Sequence, residues 1–157
     1  MQDKQGKFLY GFQTWYPHMK PADVHLWEKF IQAYPGMFDR CDYDYPVGKG
    51  PEWMDTENND FHANQEILYK KKIDVLAFQD KDEVTWIIEI KPFAGSSALG
   101  QLKMYKILYL QQHPAVKNLR LAIVTNQAQN MYKKIFDHEQ IRLFEVGVCE
   151  RCGHYRA

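Results

Sequence analysis

Hydrophobic residues recur at intervals of three and four between Pro21 and Tyr34, with polar residues between them. This spacing predicts an amphipathic helix. Proline suits the first position of a helix, and the Pro35-Gly36 pair that comes next is typical of a helix end. The preceding segment, residues 1–20, is rich in aromatic residues and lacks such periodicity, which predicts an irregular N-terminal extension.

Two apolar runs near the middle of the chain predict a β-hairpin. Lys72–Phe78 and Val84–Lys91 are rich in β-branched and aromatic residues, which favour strands. The short polar segment 79–83 joins them, as expected for two antiparallel neighbours. Pro92 ends the second run because proline cannot donate a hydrogen bond to a strand partner.

The rest of the pattern completes a mixed α/β (α+β) architecture. In chain order it predicts an irregular strand over Phe38–Val47, a long polar loop over 51–63, a short strand or turn over 64–69, a helix over Ala98–Gln112, a strand over Leu119–Thr125, a helix over Asn126–Asp137 with Met131, Tyr132, Ile135 and Phe136 facing inward, and a strand over Ile141–Val148. No repeat, low-complexity segment or linker divides the chain. We therefore expect one domain over residues 1–157, with a mixed central sheet of about four to five strands flanked by helices.

The charge balance restricts how the protein can hold a nucleic acid. Lysine plus arginine and aspartate plus glutamate number 20 each, so the formal net charge is zero. Proteins that hold nucleic acid by bulk electrostatics are usually basic. Any such contact must come from local basic patches, from a metal ion or from a partner. We therefore expect that the chain forms a homo-oligomer, or that a partner protein brings it to its substrate.

The three cysteines do not suggest a disulfide framework. Cys149 and Cys152 form a C-x-x-C pair in a polar tail, residues 149–157, and resemble half of a zinc knuckle. Because a Zn²⁺ site needs four ligands, a pair of tail thiols is the favoured interpretation and a zinc ion the less favoured one. No secretory leader and no membrane-length apolar run is evident, so we expect a cytoplasmic protein, of a bacterial, archaeal or phage-infected cell, with no membrane partner.

Three charged residues on the predicted hairpin are candidates for catalysis. Asp74 and Glu89 interrupt apolar strands, where a carboxylate is costly unless it is paired. In this hairpin they fall roughly opposite each other, and two close carboxylates repel unless a divalent cation lies between them. Lys91 is two residues beyond Glu89 and therefore on the same face of the strand. Such a set suits hydrolysis of a phosphodiester, although an ion pair on an exposed hairpin edge gives the same three letters.

The next helix adds a second pair of residues. Gln101 and Tyr105 are four apart, so they share a helix face near the start of a helix that comes shortly after Lys91. With Ile73-Asp74, Glu89-Ile90-Lys91 and the phrase EIKPFAGSSALGQLKMY, the sequence resembles the PD-(D/E)xK nuclease superfamily. It is most similar to the branch with a Q-x-x-x-Y helix, which includes lambda-exonuclease-like and RecB-type nucleases. Ile73 stands where the superfamily name has proline.

This resemblance implies a restriction-endonuclease-like fold and a role for each matched residue. It implies that Asp74, Glu89 and the backbone carbonyl of Ile90 bind Mg²⁺ or Mn²⁺, and that Lys91 is the catalytic lysine. It also implies that Gln101 orients the active site and that Tyr105 lines the nucleic-acid groove. The family often carries an acidic residue on its first helix, and Glu28 is the candidate here, although a solvated helix glutamate is the more common case.

Basic and aromatic residues outside the motif are weaker signals. Lys70 and Lys72 lead into the Asp74 strand and, with Lys103, could contact phosphates, but lysines at such positions are also ordinary solvated residues. Four aromatic residues in predicted loops could stack on bases, and the favoured alternative is that they pin loops to the core. They are Trp15, Tyr16, Trp53 and Phe61.

The sequence therefore favours a Mg²⁺- or Mn²⁺-dependent nuclease, with DNA favoured over RNA as the substrate. The alternative is a catalytically inactive protein of the same fold that binds nucleic acid or protein, as a partner subunit, a phage-type inhibitor or an assembly factor. The presence of Asp74, Glu89, Lys91 and Gln101 together favours the enzyme, because decayed sites usually lose a ligand.

Overall fold

A six-stranded mixed sheet runs through the computed structural model, which describes residues 4–49 and 70–147. The strands are β1 (Phe8–Leu9), β2 (Arg40–Val47), β3 (Lys71–Gln79), β4 (Val84–Ile90), β5 (Asn118–Thr125) and β6 (Ile141–Glu145). The helices of the described part are α1 (Pro21–Ala33), α2 (Ser96–Gln112) and α3 (Asn130–His138). The predicted mixed α/β class is confirmed, but the sheet has six strands rather than four to five.

Strand order in the sheet follows strand order in the chain. The pairs from β1 to β4 are antiparallel, and β4, β5 and β6 are parallel to one another. The short turn at Asp80–Glu83 is sufficient for the antiparallel β3–β4 hairpin, which confirms that prediction. Parallel neighbours need longer crossovers, and α2 and α3 provide them.

The two faces of the sheet bury separate apolar clusters. On one face, Trp27 and Phe30 of α1 pack with aromatic residues of the strands, including Trp86 and Phe144. On the other, Leu102 and Tyr109 of α2 and Phe136 of α3 pack in a second cluster with aliphatic side chains of β3 to β6. Because helices cover both faces, β4 is buried along its whole length, which explains its continuous apolar sequence.

The N-terminal extension contains a strand that the sequence pattern did not reveal. Phe8 and Leu9 of β1 pair with Cys41 and Arg40 of β2, and a two-residue strand is too short for period-two alternation to be recognised. Just before it, the buried Asp42 carboxylate accepts hydrogen bonds from the backbone N–H groups of Gly6 (2.6 Å) and Lys7 (2.7 Å). The segment is therefore held to β2 by polar contacts.

The third helix begins later than expected. The pattern predicted a helix from Asn126, whereas α3 starts at Asn130 because residues 126 and 127 extend the sheet. Gln127 forms an isolated parallel bridge with Phe93, and the Asn126 carbonyl accepts the Gly147 N–H. The prediction that Met131 and Ile135 face inward is wrong, since they are 57% and 37% exposed.

Some predictions fall on residues that the structure does not describe. They are the polar loop over 51–63, the short strand or turn over 64–69 and the C-x-x-C tail over 149–157. Within residues 4–49 and 70–147, no helix has the length and apolar character needed to span a membrane.

Replacing Asp42 tests the contact that holds the N-terminal segment. In Asp42→Asn one carboxylate oxygen becomes an amide NH₂ group, which cannot accept a hydrogen bond. One of the two backbone N–H groups then loses its acceptor, so we expect a loss of about 1–3 kcal/mol in the free energy of unfolding. Urea denaturation measures this loss. Asp82→Asn, on the exposed β3–β4 turn, is the matched control and should change stability by less than about 0.5 kcal/mol. Equal effects of the two substitutions would show that the Asp42 contacts contribute nothing specific.

Candidate active site

The candidate site lies where the β3–β4 pairing ends. The last paired residues are Val75 and Ile88, and one further step in the same register sets Asp74 opposite Glu89. At this level the Ile90 N–H of β4 donates to the Asp74 Oδ2, at 2.8 Å. A side-chain carboxylate thus accepts a hydrogen bond from the strand backbone, and the sequence prediction that Asp74 and Glu89 face each other agrees with the register.

The two carboxyl groups form a close pair in which Glu89 is buried and Asp74 is half-buried. The Glu89 side chain is 2% exposed, and its Oε1 lies 3.1 Å from the Lys91 Nζ. Its Oε2 is buried and has no hydrogen-bond partner among the described residues. The Asp74 carboxyl is close enough for its charge to raise the pKa of Glu89. The ion pair expected from the alternative interpretation exists, but it involves a buried carboxylate instead of an exposed hairpin edge.

Burial makes both carboxyl groups hard to ionise. It is the main cause that raises the pKa of Glu89, and the charge of Asp74 raises it further, against the opposing effect of Lys91. Burial also raises the pKa of Asp74, the Ile90 N–H lowers it, and the charge of Asp23 raises it. Deprotonating both therefore needs more positive charge than Lys91 supplies, and a divalent cation would provide it.

Helix α2 closes one wall of the site with Gln101 and Tyr105. The cleft that they line encloses about 270 Å³ and also contains Asp74, Glu89 and Lys91. The Gln101 Oε1 is buried without a hydrogen-bond partner among the described residues, while the Gln101 side chain contacts the Tyr105 hydroxyl. Burial raises the pKa of Tyr105, so this hydroxyl stays protonated and able to donate at neutral pH.

Two acidic residues of the cleft were missed by the sequence interpretation. Asp23 lies in the first turn of α1, and burial raises its pKa although the charges of Lys20 and Lys91 oppose this. Asp44 lies in β2 between Tyr43, which pairs with Val75, and Tyr45, which pairs with Ile73. This register sets Asp44 opposite Asp74. An acidic residue in the first turn after the helix-starting proline was a signal for Asp23. The β2–β3 register that reveals Asp44 is a long-range pairing, which no local pattern predicts.

The structure brings most, but not all, of the predicted residues together. Those that line the cleft are Lys72, Asp74, Glu89, Ile90, Lys91, Gln101 and Tyr105. Lys72 forms an ion pair with Asp44, with 3.2 Å between Nζ and Oδ2. Glu28, Lys70 and Lys103 do not line it. The Glu28 carboxylate instead lies 3.5 Å from the Tyr16 hydroxyl, and Lys103 forms an ion pair with Glu139, just beyond α3.

The donor set fits a hard divalent cation. Carboxylate and carbonyl oxygens are the ligands that Mg²⁺ and Mn²⁺ prefer, and the unpartnered Oε2 of Glu89 is a buried acceptor in need of positive charge. Asp74, Glu89 and the Ile90 carbonyl would hold such an ion. In the described part of the chain, no group of three or more His, Cys, Asp or Glu side chains could hold a metal ion. Water or a substrate oxygen would therefore have to complete the coordination.

Comparisons with known proteins do not assign the chain to a family. No protein-family profile, no curated protein and no solved structure matches it. Its function must therefore be inferred from the cleft residues and their chemistry.

Replacing Glu89 tests the buried repulsion through stability. A carboxyl whose pKa is raised in the folded state stays protonated there at pH values where it ionises in the unfolded state. Its contribution to the free energy of unfolding therefore becomes unfavourable as the pH rises from the ordinary glutamate pKa, about 4.3, towards the raised pKa. We expect Glu89→Gln to increase the free energy of unfolding of the metal-free protein by roughly 1–3 kcal/mol at pH 8 and by much less at pH 4.5.

Urea denaturation in a chelating buffer at the two pH values measures this difference. Glu83→Gln, on the exposed hairpin turn, is the control and should have little effect at either pH. A Glu89→Gln variant that is destabilised equally at pH 4.5 and pH 8 would contradict the buried-repulsion account.

Proposed function

We propose that the chain is a Mg²⁺- or Mn²⁺-dependent nuclease that hydrolyses phosphodiester bonds, with DNA favoured over RNA. The observation that carries the proposal is a facing pair of carboxyls, the half-buried Asp74 and the buried Glu89, with Lys91 beside them in an open polar cleft. A structural ion pair needs one acid and one base, whereas here two facing acids lie beside one lysine, Lys91, and the Glu89 Oε2 has no hydrogen-bond partner among the described residues.

The side chains of the cleft can divide the work of hydrolysis. A divalent ion held by Asp74, Glu89 and the Ile90 carbonyl would neutralise the phosphate and lower the pKa of a bound water. The Lys91 ammonium, 31% exposed and 3.1 Å from Glu89, can donate to a phosphate oxygen or to the attacking water. The free Gln101 Oε1 can accept a hydrogen bond from that water and orient it.

The surrounding residues suit a phosphate backbone. Lys20 and Lys72 line the cleft, so three lysines including Lys91 face it. Four carboxyl groups, Asp23, Asp44, Asp74 and Glu89, also line the cleft, so the lysines alone do not make it positively charged. The chain as a whole is also neutral. We therefore keep the prediction that oligomerisation or a partner protein brings the enzyme to its substrate.

The arrangement of elements supports the proposed family. A restriction-endonuclease-like fold of the PD-(D/E)xK type agrees with an antiparallel hairpin that carries Asp74 and Glu89, then the α2 helix with Gln101 and a parallel β5. We further propose a cytoplasmic location. The buried Cys41 is a free thiol, which suits a reducing compartment.

Cleavage assays test the activity directly. We expect the purified protein to cleave DNA with Mg²⁺ or Mn²⁺ and not with chelator, and Asp74→Asn and Lys91→Ala to reduce the rate at least about 100-fold each. Single-stranded DNA, duplex DNA and RNA are compared in parallel. Asp82→Asn and Lys81→Ala on the exposed turn of the same hairpin are matched controls that should retain activity. Cleavage that persists in chelator or in both site variants would refute the mechanism. No cleavage of any substrate would favour the inactive binding protein.

Proton release provides a second test that does not depend on activity. Because the raised pKa values keep the carboxyl pair partly protonated at neutral pH, a cation must displace protons when it binds. Calorimetric titration with Mg²⁺ or Mn²⁺ in buffers of different ionisation enthalpy should show net proton release at pH 7 and tighter binding at pH 8. Asp74→Asn should weaken this binding. Binding at pH 7 without proton release would contradict the proposed ligand pair.

A further inference from the structure

Trp15 is an exposed aromatic residue next to a buried, well-packed neighbour, Tyr16. It is 65% exposed, so the expectation that it pins a loop to the core is wrong, whereas its neighbour Tyr16 is 4% exposed and confirms it. The Tyr16 ring packs edge-on against Tyr43 at 5.3 Å, and its hydroxyl accepts the Gln13 N–H at 3.0 Å. The two other loop aromatics, Trp53 and Phe61, lie outside the described residues.

A groove beside Trp15 leads into the catalytic cleft. It encloses about 360 Å³, and His18 and Met19 line both the groove and the cleft. His18 has a φ of +52°, a conformation that is costly for a residue other than glycine and that is often retained at functional sites. The chain therefore adopts a strained conformation where the two depressions meet.

Charge distinguishes the groove from the cleft. The cleft contains three lysines, Lys20, Lys72 and Lys91, beside four carboxyl groups, Asp23, Asp44, Asp74 and Glu89. The described residues that line the groove include no lysine or arginine and one carboxylate, Glu28. With the proposed divalent cation bound, a phosphate is favoured in the cleft, where lysines also line the wall, and disfavoured in the groove, which offers no lysine or arginine among its described residues. A base has no charge and offers a flat aromatic face, which an exposed indole can stack on.

We propose that the Trp15 groove binds an unpaired base next to the phosphate that occupies the cleft, so that the substrate is a single strand or an unpaired end. This inference rests on the proposed nuclease function and specifies its substrate. Inside a duplex both faces of every base are already stacked, so only an unpaired nucleotide can offer a face to Trp15. Rigid anchoring through Tyr16 keeps the indole in place before the strand arrives.

Binding without cleavage tests the inference. The probes are oligonucleotides of deoxythymidine with one 2-aminopurine, either single-stranded or in a blunt duplex, titrated in Ca²⁺ so that hydrolysis does not intervene. We expect the wild-type protein to quench the 2-aminopurine of the single strand. Trp15→Ala should weaken single-strand binding about tenfold, the change expected for one lost base–aromatic stack, and Trp15→Phe should restore most of it.

The controls separate stacking from other causes. Ile107→Ala removes a comparably exposed apolar side chain, 59% exposed, from α2 and should leave binding unchanged. In cleavage assays Trp15→Ala should raise KM for the single strand and leave kcat within about twofold, because Trp15 is outside the reacting atoms. Circular dichroism checks that the variant is folded.

Three outcomes would overturn the inference. They are equal single-strand affinity of Trp15→Ala and wild type, equal losses on the single strand and the blunt duplex, and a change of oligomeric state in Trp15→Ala with unchanged affinity. The last would identify Trp15 as a protein contact. Failure of the nuclease proposal is distinguishable, because it would appear as absent cleavage while the Ca²⁺ titrations still report whether Trp15 stacks on a base.

Discussion

The hydrogen bond from the Ile90 N–H to the Asp74 carboxylate connects the sheet to the chemistry of the cleft. It occurs beyond the last paired residues of β3 and β4, so the polar backbone at this point depends on a side chain. The same carboxylate faces Glu89, and burial of both acids is unfavourable without a compensating cation. The two apolar clusters hold this arrangement in place from both faces of the sheet.

The two neighbouring acids, Asp74 and Glu89, lower the stability of the cation-free protein, because their charges repel each other. Replacing them with neutral isosteres would relieve repulsion, so the cation proposed above would explain why both acids are present. Such a cation would also stabilise the protein, because an ion that binds only the folded state shifts the folding equilibrium by mass action. Lys91 compensates only part of the charge, which leaves Glu89 Oε2 available.

The sequence predicted the features that local periodicity and turns determine. Asp74, Glu89 and Lys91 were found because one hairpin with a short turn fixes their relation, and Gln101 because the next helix begins a few residues later. Asp44 required knowledge of which strand pairs with β3, a contact across some thirty residues of sequence. Trp15 was misjudged because apolar character alone does not tell a buried ring from an exposed one. The start of α3 was misplaced because Asn126 and Gln127 continue the sheet, a tertiary constraint that overrides helical periodicity.

The conformation of β2 near Asp44 also bears on how the edge of this strand resists pairing with strands of other chains. β1 pairs with β2 only at Arg40 and Cys41, so in the described part of the chain the outer edge of β2 has no strand partner beyond that point. Exposed strand edges recruit other chains and promote aggregation. Here Asp44 has a φ of +51° and Pro46 has no N–H to offer, so an incoming strand would meet an interrupted row of donors. The kink at the candidate active site thus also makes this edge a poor template for intermolecular β-sheet.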